Sequence, residues 1–246
     1  MGEIRNCRIV SINKKDFGKI IDPFKGLQDL DKGILKTPKD PDITFSDDPL
    51  RMLRAIRFAA QLEFTINDDT KQRIAVNKDR LKIVSQERIT NELLKVLGTK
   101  KPSIGLDILQ MSGIMKYIFP EISNMFGLDQ SNEYHHKDIF YHTLEVVDNA
   151  ASMSENVNLR LAALVHDIAK PNTKKFIPEK GWTFHGHDSI GSHMMKHIAK
   201  RMKLSNKLRE YLRLMTKLHL RPIALVKKNI TDSAIRRLMV EAGNYV

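Results

Sequence analysis

The sequence predicts an all-α protein in two helical parts, preceded by a small piece of β structure. Three observations carry that prediction. Beyond Pro41, apolar residues recur at three- and four-residue spacing almost without interruption, the period of a helix with one buried face. The periodic segments open on polar or proline start signals, which satisfy or dispense with free backbone N–H groups. Strand-like pieces are confined to residues 8–12 and 19–21, around the turn-forming Asn13-Lys14-Lys15-Asp16-Phe17-Gly18.

Two such strands are marginal alone in water, so they read as the edge of a larger sheet. The open edge at 8–12 is expected to promote aggregation or dimerisation. Helices are expected near 47–62, 69–77, 86–98, 103–112, 137–152, 158–169, 188–202, 205–218 and 231–242. Asp47-Asp48-Pro49 opens the first, because Asp accepts from a free N–H and Pro suits the first turn. That helix sets Arg51, Arg54 and Arg57 close to one face, whose plainest reading is a solvated charged surface, and Leu50, Leu53, Ile56 and Ala60 on the buried one. Turn residues interrupt the periodicity between Ser123 and Lys137, which places domains at 1–38, 39–125 and 126–246.

Lys and Arg number 41 against 29 Asp and Glu, a formal charge of +12 that favours polyanionic partners, nucleic acid or nucleotide first. Cys7 is the only cysteine, which excludes an intramolecular disulfide and a cysteine-rich zinc knuckle and agrees with a reducing cytoplasm. No apolar run approaches the roughly 20 residues of a membrane helix, and no signal-peptide segment follows Met1, so a soluble cytoplasmic protein is expected.

Chemistry concentrates in the second half. His142, the doublet His166-Asp167, His185, His187 and His219 fall there, and imidazole with carboxylate suits a divalent metal. His142 alone reads as a core or surface residue. The doublet is different: 161–170 is an apolar helix ending in two polar groups, and an Asp so placed is desolvated unless a charge meets it. A metal ion is the simplest partner, and it would polarise a phosphoryl oxygen or activate water. His185, His187 and His219 are further ligand candidates, whereas His193 and His197, four apart, read as surface residues.

The set His142, His166-Asp167, His187 and His219 resembles the HD superfamily of metal-dependent phosphohydrolases. The runs Tyr134-His135-His136-Lys137-Asp138-Ile139-Phe140-Tyr141-His142-Thr143-Leu144 and Phe184-His185-Gly186-His187-Asp188 are similar to the HD domain of bacterial CCA-adding tRNA nucleotidyltransferases. Ile21-Asp22-Pro23-Phe24-Lys25-Gly26 resembles the segment joining head to neck in that family, and Phe45-Ser46-Asp47-Asp48-Pro49-Leu50-Arg51-Met52-Leu53-Arg54 resembles its neck motif. The resemblance implies a neck and RNA-binding body followed by an HD-type helical domain, with residues 1–38 a remnant of the catalytic head. It further implies Asp48, Arg51 and Arg54 as nucleotide-binding residues, Asp48 and Arg51 reading the base. A carboxylate that accepts from an exocyclic amine beside a guanidinium fork is sensible chemistry for that task. It implies His142, His166, Asp167, His187 and His219 as ligands of a divalent metal with Asp167 catalytic, tRNA and CTP or ATP as partners, and Mg2+ accompanying the nucleotide in the complete enzyme.

The sequence departs from that family where nucleotidyl transfer is done. The Gly-Gly-x-Val-Arg-Asp turn and its following Asp-x-Asp pair are absent, and Asp29-Leu30-Asp31 follows the head-to-neck segment instead. This chain alone is therefore expected to add no nucleotides. For the last HD ligand that the resemblance implies, Asp232 is the only nearby candidate, and in Asn229-Ile230-Thr231-Asp232-Ser233 it reads more naturally as a helix start. Three readings follow: a partial tRNA nucleotidyltransferase, favoured because the neck motif has no role in a bare hydrolase; a stand-alone HD phosphohydrolase; and an RNA-binding module without chemistry.

Overall fold

The computed structural model describes residues 9–10, 14–15, 17–128, 138–179, 181–226 and 231–243. It is predominantly α-helical with three two-stranded ladders, and it divides into two compact units, Met1–Ile118 and Phe119–Val246. Parts of the expected 8–12 strand and of the 123–137 interruption, including all of 134–137, lie outside the described residues.

In the first unit, β1 (Ile9–Val10) pairs antiparallel with β2 (Ile20–Ile21). The join that follows is a short helix, α1 (Gly26–Asp31), with Asp22 accepting from the N–H groups of Gly26 and Leu27 at 2.7 Å each. Next come β3 (Ile34–Leu35), α2 (Pro41–Asp47) and α3 (Leu50–Leu62). The helix expected at 47–62 thus starts later. Asp47 ends α2, Asp48 is extended, and the Asp48 carboxylate accepts from the Leu50 N–H at 3.2 Å. A helix over 41–47 was hidden from the periodicity by its length, although Asp40 caps it through Asp42 and Ile43 and Pro41 occupies its first turn.

The left-handed Glu63 ends α3 and lets β4 (Thr65–Ile66) run parallel to β3. The chain continues through α4 (Asp68–Asn77), a 3-10 turn at Lys78–Ile83, α5 (Gln86–Leu97), α6 (Pro102–Met111) and α7 (Met115–Ile118). The α3 helix packs on both α5 and α6. Leu50, Leu53, Ile56 and Ala60 are buried as the spacing requires, with Met52 and Phe45 beside them in the core. Close approach depends on Gly105, where a Cβ would meet Val96 Cγ1 at 2.5 Å and Ala60 Cβ at 3.2 Å.

The second unit holds α8 (Pro120–Ser123), α9 (Ile139–Met153), α10 (Val157–Val165), α11 (Lys170–Thr173), the hairpin β5 (Lys175–Ile177) and β6 (Gly181–Thr183), α12 (His187–Arg201), α13 (Asn206–Leu218), α14 (Arg221–Val226) and α15 (Asp232–Ala242). Asp138, Asn156 and Ser205 cap α9, α10 and α13 with side-chain oxygens. The expected helix at 158–169 stops early: residues 166–169 form turns before α11 begins at Lys170-Pro171, so His166 and Asp167 sit at a helix end. α9 packs on α10, and α12 on α13. Among the described residues, no helix is long and apolar enough to cross a membrane.

Candidate metal centre

Four elements of the second unit deliver the histidines to one carboxylate. His142 comes from the first turns of α9, His166 from the end of α10, His187 from the start of α12 and His219 from the end of α13. Gly186, at φ 77°, takes a left-handed conformation that admits His187 to the helix start. Around Asp167 the Nε2 atoms lie at 3.0 Å (His166), 3.2 Å (His187), 3.6 Å (His219) and 3.8 Å (His142) from a carboxylate oxygen. The Asp167 side chain is 3% exposed. Lys170 Nζ lies 2.7 Å from the same carboxylate.

The other ring nitrogens fix what the Nε2 atoms can do. Nδ1 of His166, His187 and His219 is 2.7 Å from the backbone oxygens of Ala163, Phe184 and Thr216 respectively. A carbonyl only accepts, so each Nδ1 carries a proton and the neutral ring turns an Nε2 lone pair inward. The Nε2 atoms of His187 and His219 approach to 3.3 Å. Nε2 lone pairs that converge on a carboxylate call for a cation, and the donor set suits a divalent metal. Two overlapping groups have this geometry, His142 with His166 and Asp167, and Asp167 with His187 and His219. Burial alone would raise the pKa of Asp167, but its interactions with the His166, His187 and His219 side chains outweigh that and hold the carboxyl well below its usual range.

The remaining candidates fall outside this group. His185 is exposed, His193 and His197 line an outer face of α12, and Asp232 opens α15. In the first unit, Asp29 is buried and paired with Lys36 at 2.9 Å, while Asp31 is exposed, and among the described residues this Asp-x-Asp forms no cluster with other ligand-type residues.

At the neck, the Asp48 carboxylate meets Arg88 of α5 at 3.3 Å, a partner 40 residues away that sequence spacing does not reveal. Arg51 donates to the Thr44 oxygen at 3.2 Å and lies 3.9 Å from Asp47; Arg54 is half-buried. Arg57 is no part of a solvated face. It is 14% exposed, 3.4 Å from the buried Glu92, and its guanidinium covers the Phe58 ring at 4.3 Å.

Comparison with known proteins gives two family matches. Residues 63–126 match the model described as "Probable RNA and SrmB- binding site of polymerase A", and residues 139–236 match the HD domain. The fold is shared with a tRNA nucleotidyltransferase complexed with a primer tRNA and an incoming ATP analog (TM-score 0.63, 22% identity, 96% of this chain and 61% of that one). It is shared also with the Thermotoga maritima CCA-adding enzyme complexed with tRNA (0.63, 19%, 94% and 50%) and with a tRNA-processing enzyme in an apo form (0.62, 23%, 96% and 57%). The chain thus spans half to three fifths of the length of these relatives.

Fold and site together define a helical chain in which a polymerase-A-type RNA-binding segment precedes an HD domain. The tRNA nucleotidyltransferases and CCA-adding enzymes above share this fold, in agreement with the family that the sequence resembles.

Proposed function

We propose that this chain is the neck, RNA-binding body and HD domain of a tRNA nucleotidyltransferase, holding tRNA and selecting CTP or ATP in the cytoplasm without itself transferring a nucleotide. Asp48 and Arg51 are the base readers, with Arg54 beside them on the same helix, and a net charge of +12 favours docking of a polyanion. The head carboxylates that would hold the Mg2+ of nucleotidyl transfer are not in this sequence.

The HD domain is a phosphohydrolase centre. The observation that carries this is the inward convergence of Nε2 atoms on the buried Asp167, with three Nδ1 protons committed to backbone carbonyls. His142, His166, Asp167, His187 and His219 would hold a divalent ion, which when bound would supply Lewis acidity toward a phosphoryl oxygen and an attacking water. Asp167 stays ionised and binds; the histidines are oriented by their carbonyls; Lys170 brings a positive charge for a phosphate oxygen. In the overall hydrolysis a water oxygen bonds to phosphorus, the ester P–O bond breaks, and the departing oxygen takes a proton.

The test pairs two assays on the purified chain. Hydrolysis of a 2′,3′-cyclic nucleotide is expected to stop with a chelator and to return with added divalent metal, whereas CTP or ATP incorporation into tRNA lacking its 3′ end is expected to be absent. Incorporation by this chain, or hydrolysis indifferent to chelator, contradicts the reading. Salt-sensitive tRNA binding with no hydrolysis would leave the RNA-binding module.

A further inference from the structure

Resting on the reading of the HD domain as a phosphohydrolase centre, we infer that the β5–β6 hairpin beside it is a nucleobase platform, so that the ligand of this site is a nucleoside phosphate rather than a bare phosphate ester. The hairpin is tied to the centre at both ends. Lys175 follows Asp167 by eight residues, and Thr183 precedes His187 by four. Its register sets Phe176 opposite Trp182, ring centroids 5.3 Å apart at 69°.

A cross-strand aromatic pair steadies a three-residue hairpin unaided. That role does not account for what surrounds it. Phe176 is 60% exposed, and Trp182 and Phe184 are both partly exposed. Lys174 Nζ lies 4.4 Å from the Trp182 centroid, and Lys170 Nζ lies 5.5 Å from that of Phe184 while it touches Asp167. The stretch from 170 to 187 carries four lysines against a single acid, Glu179. Lys170 therefore joins the carboxylate to the Phe184 ring, and Lys174 with the Phe176–Trp182 pair lies in the segment that connects Lys170 to Phe184 along the chain. This surface complements a ligand that has a phosphate at one end and a planar base at the other. The phosphate meets Lys170 and the centre, and the base stacks on Trp182.

Trp182 is the only tryptophan of the chain, so its emission reports on its surroundings without labelling. The metal-loaded full chain is titrated with adenosine 2′- and 3′-monophosphate and with glycerol 2-phosphate as the base-free ester, following both emission and hydrolysis. The nucleotides are expected to change Trp182 emission and glycerol phosphate is not. Trp182→Thr, which keeps a β-former in the strand, should raise KM for the nucleotides about tenfold, within the range that loss of one base–aromatic stack produces, and leave KM for glycerol phosphate unchanged. Trp182→Phe, which retains the ring pair, should recover most of the loss.

Nucleotide hydrolysis with unchanged emission and an unchanged KM ratio in Trp182→Thr overturns the platform alone. An equal loss on both kinds of ester also overturns it, since that marks a structural hairpin. An emission change without hydrolysis of either ester upholds the platform and refutes the phosphohydrolase reading; neither binding nor hydrolysis refutes both.

Discussion

Replacing Gly191 with alanine should loosen the metal centre without touching any ligand. Gly191 lies one turn beyond His187 on α12, and a Cβ there would stand 2.8 Å from Thr216 Cγ2, 3.4 Å from Ile168 Cγ2 and 3.6 Å from Ala169 Cβ. Thr216, Ile168 and Ala169 are fully buried, so none has free space into which to retreat. Each also adjoins a ligand: the Thr216 oxygen orients His219, and Ile168 follows Asp167. Overpacking of this kind costs about 1–3 kcal/mol, and the helix propensity of alanine returns about 1 kcal/mol, leaving a net loss of about 1 kcal/mol. For a unit of this size that is a fall of about 4 °C in Tm. Because the displaced groups orient ligands, metal affinity should drop about 10–100-fold, as second-shell substitutions do. Gly105→Ala is the control. It forces a comparable clash against Val96 and Ala60 in the first unit and should leave metal affinity unchanged. Thermal unfolding and metal titration of both variants decide the matter. Wild-type metal affinity in Gly191→Ala, or equal loss in both variants, would refute the reasoning.

Glu92→Gln removes the charge facing Arg57 while leaving a buried guanidinium. The expected loss is about 3 kcal/mol, at the low end for a broken buried pair because the 3.4 Å contact is not aligned as a hydrogen bond, and urea unfolding measures it. Arg88→Ala frees the Asp48 carboxylate from an exposed pair, so stability should change by less than about 1 kcal/mol, while the ratio of CTP and ATP to GTP and UTP binding should shift, as read by equilibrium dialysis. Since only an unprotonated Nε2 can bind a metal, metal affinity should weaken as pH falls, which metal titrations at different pH detect. Asp167 has a depressed pKa, so its contribution to stability is present above the unfolded value of about 3.9 and is lost as pH falls toward the folded one; in Asp167→Asn that part of the acid transition should vanish from pH-dependent unfolding.

Helices of three turns or more were legible because their buried stripes repeat, as Leu50, Leu53, Ile56 and Ala60 illustrate. Short elements were not. The α1, α2, α11 and α14 helices and the β5–β6 hairpin each offer too few residues for a period, and only caps such as Asp22 and Asp40 mark them. The doublet His166-Asp167 stood out because polar groups end an apolar run, but the turn at 166–169 depends on packing beneath Ile168 and Ala169. Arg57 misled for the converse reason. Its spacing matches a solvated face, and only the tertiary partner Glu92 draws it inward. Arg88, Lys170 and Gly191 were missed as site residues; Lys170 stood three residues from Asp167, a helix-like spacing that could have signalled it, whereas Arg88 lies 40 residues from Asp48 and Gly191 acts through Thr216.

The central claim is that Asp167 and its histidines form a working metal centre. Elemental analysis of the purified chain, paired with hydrolysis of a phosphodiester and a 2′,3′-cyclic nucleotide in wild type and Asp167→Ala, tests it most directly. The account predicts bound divalent metal and turnover in the wild type, both lost in the variant. Absence of metal and turnover in the wild type, or turnover that survives in Asp167→Ala, would contradict it.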